Sequence, residues 1–145
     1  MSTLDITTQP LSPERSLYMQ RAAAQAVQML ERFSGSYVEY VPTSLQLMDE
    51  WIDRMGREGS LPSAARVLVI AFMGQMFLHR HGGYWATQTQ NQKQNLGVVC
   101  PVVGPGDEMP FIDIADQINR RLALGISESL TFFYMVASVD LPRNS

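Results

Sequence analysis

The sequence predicts an α+β fold: one domain over residues 1–145, mostly helical, with a small antiparallel sheet after a buried central helix. Two observations carry this prediction. Apolar residues recur every three or four positions up to residue 81, as on a helix face, and every second position from Tyr84 onward, as in strands. Of the 145 residues, 46% are hydrophobic and 17% charged, which is typical of a chain that buries one core. Residues 1–11 and 141–145 are expected to be tails.

Three helices are predicted before the sheet, near residues 13–34, 44–56 and 62–81. Ser12 followed by Pro13 is a typical helix start, because serine caps free N–H groups and proline tolerates the first helical position. Gly35 ends that helix. The inner face of the second helix is apolar, and its acidic residues are expected to face water: Asp49, Glu50 and Asp53.

The third helix is predicted to be the centre of the core. Residues 67–77 are apolar almost all round, yet the longer run over residues 64–78 is too short and too interrupted to span a bilayer. His79, Arg80 and His81 suit the negative end of the helix dipole, and Gly82-Gly83 ends the helix.

A hairpin follows, with strands over residues 84–89 and 96–103 around a polar turn at 90–95, and residues 109–112 are a candidate third strand. Two helices are predicted after it, near residues 114–124 and 128–137, the last with a strand as its alternative. The buried stripe of the last helix is expected to be Leu130, Phe133, Tyr134 and Ala137.

Composition excludes several functional classes. Fourteen acidic and eleven basic residues give a formal charge of −3 without a basic run, so a nucleic-acid partner is not expected. The N-terminal residues have neither the basic nor the apolar region of a secretory signal, and the one cysteine cannot form an internal disulfide. We therefore expect a cytoplasmic protein without a membrane partner.

Catalytic and metal-binding patterns are also missing from the sequence. Cys100 precedes Pro101 in an apolar run, where burial raises the pKa of a thiol and makes it unreactive. His79 and His81 are two residues apart on a helix and point in different directions, so they do not make a metal site. The turn Gly104-Pro105-Gly106 lacks the setting of a phosphate-binding loop. No catalytic residue, metal or cofactor is expected.

Several short motifs resemble a widespread group of small, uncharacterised bacterial domains. Residues 69–75, Val-Ile-Ala-Phe-Met-Gly-Gln, followed by Gly82-Gly83-Tyr84-Trp85, are similar to that group's Gly-Ala-Tyr-Leu-Gly-Glu helix and Gly-Gly-x-Trp. Further similar segments are 43–49, 119–125 and 129–134. The resemblance implies an architecture but no activity. Gln75 replaces the group's Glu, and a glutamine cannot act as a general acid or base.

The candidate binding residues surround the end of the third helix: Gln75, His79, Arg80, Tyr84 and Trp85. Neighbouring aromatic residues on a strand face opposite ways, so either Tyr84 or Trp85 is a candidate anchor, and Trp85 is expected to lie in the core. Gln75 is expected to make a structural hydrogen bond.

The leading hypothesis is a non-catalytic interaction module that forms a homodimer or binds one protein partner, such as an immunity or accessory protein. The alternative is a small-molecule site or enzyme pocket between the hairpin and the helices.

Overall fold

A computed structural model describes residues 6–57, 61–102 and 110–142, and it has the expected α+β fold. Its strands and helices, in chain order, are β1 (Ile6–Pro10), α1 (Pro13–Ser34), α2 (Pro42–Arg57), α3 (Ser63–His81), β2 (Tyr84–Gln90), β3 (Lys93–Val99), β4 (Phe111–Ile112), α4 (Ile114–Leu124) and α5 (Leu130–Ala137). A 3-10 turn, Gly125–Glu128, joins the last two helices. The last element is therefore a helix, as predicted, and the strand alternative is wrong.

Both ends of α1 and the start of α5 follow capping residues in the sequence. The Ser12 hydroxyl accepts a hydrogen bond from the Arg15 N–H at 3.2 Å, and Gly35 ends α1 in the left-handed conformation, with φ at 71°. The cap of α5 is Ser129, whose hydroxyl accepts from the Phe132 N–H at 3.1 Å. This cap moves the helix start two residues beyond the predicted residue 128.

The sheet has four antiparallel strands in the order β1-β2-β3-β4. The predicted turn over residues 90–95 is too wide, because Asn91 and Gln92 alone make the turn, with φ values of 52° and 67°. Two left-handed residues match the twist of a tight hairpin. Gln90 therefore pairs with Lys93, and the polar residues around the turn belong to the strands.

Both predicted tails are partly structured. Ile6 to Pro10 form β1, with Ile6 opposite Gln90 and Pro10 opposite Ala86, so the prediction of a tail over residues 1–11 is wrong there. All five side chains of β1 are exposed, and no apolar alternation marks the strand in the sequence. At the other end Leu141 is buried against the core. The Gly104-Pro105-Gly106 turn and Met109 lie outside the described residues.

The core is built around α3, as the sequence predicts. Residues Val69 to Gly74 are all buried, and α1, α4 and the sheet pack around this helix. Gly74 lies directly under the indole ring of Trp85, and a Cβ atom at this position would overlap the ring. The absence of a side chain at residue 74 thus gives the Trp85 ring its place against α3.

We expect Gly74→Ala to lower the free energy of unfolding by about 1 to 3 kcal/mol, because the buried ring must move. Gly56→Ala is the matched control: it adds the same methyl group to α2 where nothing lies within 4 Å. Better helix propensity there should stabilise the fold by up to about 1 kcal/mol. Urea unfolding measures both variants, and equal effects would contradict the packing described for Gly74.

Candidate functional site

The sequence-predicted site residues lie in different surroundings. Trp85 is 2% exposed, as expected for a core residue, and its indole N–H donates to the Gln75 side-chain oxygen at 3.3 Å. The expected structural hydrogen bond of Gln75 is therefore present. Tyr84 is 39% exposed and faces the other side of β2. Gln75 and Trp85 are thus joined to each other across the contact between α3 and β2.

His79 and Arg80 line a cleft of about 770 Å³ between α1, the segment 37–41 and the end of α3. A small-molecule site was expected between the hairpin and the helices, but the cleft that contains His79 and Arg80 lies elsewhere. The cleft also contains the carboxylates of Glu31 and Glu39 and the ring of Tyr40. Burial raises the pKa of the Tyr40 phenol, so its hydroxyl stays a proton donor at neutral pH.

Cys100 is fully buried just after β3, and burial raises the pKa of its thiol to about 12. The thiolate is the reactive form of cysteine, so this side chain behaves as a small apolar group at neutral pH. Among the residues that the structure describes, no cluster of three or more histidine, cysteine or acidic side chains could hold a metal ion.

We expect Cys100 to react with a thiol reagent at pH 8 only as fast as the protein opens, since the pH lies far below the pKa of the thiol. Labelling followed by mass spectrometry measures the rate, with the urea-unfolded chain as the reference. A folded rate within about tenfold of the unfolded rate would contradict this burial.

A buried ion pair connects α2 to α4. The Arg121 Nε donates to the Asp49 carboxylate at 2.8 Å, and one Nη donates to the Asp53 carboxylate at 2.8 Å and to the Asp49 backbone carbonyl at 3.2 Å. Burial by itself lowers the pKa of Arg121, but the hydrogen bonds to both carboxylates outweigh it and raise the pKa. The expectation that Asp49 faces water is wrong, because its carboxylate neutralises this buried guanidinium.

The same carboxylate also holds the start of α5. Asp49 accepts hydrogen bonds from the Leu130 N–H at 3.2 Å, from the Thr131 N–H at 3.4 Å and from the Thr131 hydroxyl at 3.3 Å. These amides belong to the first turn of α5, where backbone N–H groups have no acceptor within the helix. A negative charge is also favourable at this end of the helix dipole. Asp49 therefore joins α2, α4 and α5 in one network.

The inner side of α5 is held by a second polar chain from α3. The Arg80 Nε donates to the Tyr134 hydroxyl at 2.8 Å, and the same hydroxyl lies 2.7 Å from the His81 Nε2. The His81 Nδ1 is 2.8 Å from the Pro142 carbonyl, which only accepts, so Nδ1 carries a proton. In the neutral ring Nε2 then accepts from Tyr134. This chain fixes both α5 and residue 142 to the end of α3.

The outer side of α5 presents a continuous apolar stripe, which we call the α5 face. Phe132 (66% exposed), Met135 (60%) and Val136 (58%) have the i, i+3, i+4 spacing of one helix face, and Val139 (77%) lies in the turn that follows α5. Beside it, a hollow of about 370 Å³ is lined by Met135, Val139, Tyr134 and Arg80. Of the predicted buried stripe, Leu130 and Tyr134 are buried and Phe133 and Ala137 are half-buried against the core, whereas the apolar stripe on the other side of the helix was not predicted.

Two signals in the sequence indicate the features that were not predicted, the buried Arg121 and the exposed apolar side of α5. Arg121 is seven residues after Ile114 and three after Ile118, so it lies on the inner face of α4. The segment 130–137 contains no charged residue, although only half of its residues belong to the inner stripe that packs on the core. A helix of this composition has apolar groups on both sides.

We expect Arg121→Met to lower the free energy of unfolding by about 3 to 5 kcal/mol, because it leaves the buried Asp49 carboxylate without its cation. Arg120→Met is the matched control on the neighbouring residue, whose side chain is exposed and lies 3.8 Å from Asp116. Surface pairs contribute little, so the control should change the free energy by less than about 1 kcal/mol. Similar losses in the two variants would contradict the role given to Arg121.

Comparisons with protein-family models, with curated proteins and with solved structures found no match for this chain. The resemblance to a group of bacterial domains therefore stays a prediction. Within the described residues, none of the helices has the length and apolar character needed to cross a membrane.

Proposed function

We propose that this protein is a non-catalytic interaction module that binds one protein partner through the α5 face. The observation that carries the proposal is the exposure of four large or branched apolar side chains, three on one side of α5 and Val139 in the turn after it, at 58% to 77% each. Single apolar residues on a surface are ordinary, whereas a contiguous stripe is typical of a binding surface. A partner that covers the α5 face would remove this apolar area from water.

The composition of α5 supports this function. A helix that is apolar on all sides is normally covered on all sides. Here Leu130 and Tyr134 account for the inner side, against α2 and α3, while the opposite side faces water. The rigid support under α5, from Asp49 and from the Tyr134 chain, would present this face in one orientation, which lowers the entropic cost of binding.

The charges beside the α5 face indicate the chemistry of the partner. Arg80 lines the adjoining hollow and is half-buried, and no carboxylate of the described chain lies within 4 Å of its guanidinium. An amphipathic helix with apolar residues at i, i+3 and i+4 and an acidic side chain nearby would cover the stripe and pair with Arg80. We therefore expect an acidic amphipathic helix as the partner segment.

We expect Met135→Glu to leave the fold intact and to abolish partner binding. The side chain is 60% exposed, so the free energy of unfolding should change by less than about 0.5 kcal/mol. A photoreactive phenylalanine analogue at position 132, expressed in cells of the source organism, should cross-link to one discrete protein. Met135→Glu should remove that product.

The matched control places the same analogue at Tyr18, which is 62% exposed on α1. This position should give no discrete product. Equal products from positions 18 and 132, or a product at 132 that survives Met135→Glu, would contradict a specific surface on α5.

A second candidate function is small-molecule binding in the cleft that His79 and Arg80 line. The observation that favours it is the presence there of both a guanidinium and two carboxylates, which suits a small zwitterion such as a free amino acid. A rise in melting temperature with a millimolar amino acid, lost in Arg80→Gln but kept in Met135→Glu, would favour this function over the first.

A further inference from the structure

We propose that two copies of this chain associate through the outer edge of β1, in an antiparallel arrangement with Thr8 on the two-fold axis. This inference goes beyond the α5 face, because it involves the opposite end of the chain and a different kind of contact. It makes one continuous sheet from the two four-stranded sheets.

The outer edge of β1 is available for pairing. In the described part of the chain, β2 is the only strand next to β1. The strand reads Ile-Thr-Thr-Gln-Pro, without a charge, and all five side chains are exposed. Proteins usually protect an edge strand with charged residues, a bulge or a very short length. Proline at an edge is a further such device, and within Ile6–Pro10 the strand has only Pro10 of these features.

The register with β2 determines which backbone groups face outward. The Leu11 N–H donates to the Trp85 carbonyl at 3.0 Å, so these two residues form a hydrogen-bonded pair. Such pairs alternate along an antiparallel ladder, so Gln9 and Thr7 also bond to β2. The N–H and C=O groups of Ile6 and Thr8 and the carbonyl of Pro10 therefore point away from the sheet.

These outward groups are self-complementary. With the two-fold axis at Thr8, the two Thr8 residues exchange both of their backbone hydrogen bonds, and each Ile6 N–H donates to the Pro10 carbonyl of the other copy. Pro10 has no N–H, but its backbone groups face away from β2, so no hydrogen bond to β2 is lost at this residue. The exposed Ile6 side chain would then lie beside the Pro10 ring across the pair. A second copy thus fits this edge in one specific register.

The other edge of the sheet favours a closed dimer over a fibre. A chain of sheets would need β1 of one copy to pair with the far edge of the next, where β4 has only two residues and the part of β3 that β4 does not cover begins with the exposed charge of Lys93. Pairing of β1 with β1 uses the uncharged β1 edge of each copy and closes the assembly. Because the paired strand is short, we expect dissociation in the micromolar range.

Disulfide trapping tests the register. In the proposed dimer the two Thr8 Cα atoms are about 5.5 Å apart, within the range of a disulfide, whereas the two Thr7 Cα atoms are more than about 7 Å apart. The full-length Thr8→Cys variant should therefore form covalent dimers at least about tenfold faster than Thr7→Cys at 100 μM under mild oxidation. Cys100 is buried and does not compete. Equal rates for the two variants, or no covalent dimer, would overturn the proposal.

A second set of variants tests the backbone contact by sedimentation between about 5 and 500 μM. The unmodified chain should approach twice its mass of 16.3 kDa. Thr8→Pro removes the central outward N–H and should weaken the dimer at least about tenfold, while Thr8→Val keeps that N–H and should retain the dimer. Circular dichroism confirms the fold of each variant.

The α5 variant Met135→Glu separates this inference from the proposed function, because it should leave the β1 dimer unchanged. A monomer at every concentration would overturn the inference and leave the α5 proposal standing. A dimer that Met135→Glu dissociates and Thr8→Pro does not would also overturn it, and would instead identify the second copy as the partner of the α5 face.

Discussion

The buried ion pair between Asp49 and Arg121 is the contact on which the C-terminal half of the structure depends. Two charged groups removed from water are costly unless each is neutralised and hydrogen-bonded. Both conditions are met, since Arg121 bonds to Asp49 and Asp53, and Asp49 uses its remaining acceptor capacity on the first turn of α5. No buried side-chain N or O atom in the described residues lacks a partner. One carboxylate therefore sets the positions of α2, α4 and α5 relative to one another.

This arrangement explains how a helix with apolar residues on both sides stays in one orientation. Apolar packing alone would let α5 turn either stripe toward α3, because both stripes are hydrophobic. The polar contacts remove that freedom: Asp49 holds its N-terminus, and the Tyr134 hydroxyl joins Arg80 and His81 on α3. Phe77 packs against the Tyr134 ring at 4.9 Å between the ring centres. The stripe from Phe132 to Val139 is thereby left in water, available to a partner.

Sequence patterns predict elements best where the signal is local. The α+β class, the central helix over residues 64–78, the caps at Ser12 and Gly35 and the burial of Trp85 all follow from spacing and capping chemistry. The sequence did not reveal features that depend on distant partners. Asp49 reads as a surface residue because its partner Arg121 is 72 positions away, and β1 carries no apolar alternation because both of its faces are exposed. The five candidate site residues are close in sequence, yet the fold gives Trp85, Tyr84 and Arg80 different surroundings.

Hydrogen exchange of the α5 amides in an Asp49→Ala variant tests the central claim most directly. Leu130 and Thr131 lose their acceptor in this variant, and Arg121 loses its principal carboxylate. Under conditions in which the variant remains folded, protection in α5 should fall by far more than protection in α1 and α3, because its docking depends on Asp49. Unchanged protection of α5, or a loss no larger than in α1, would show that α5 is held by apolar packing alone and would contradict the account.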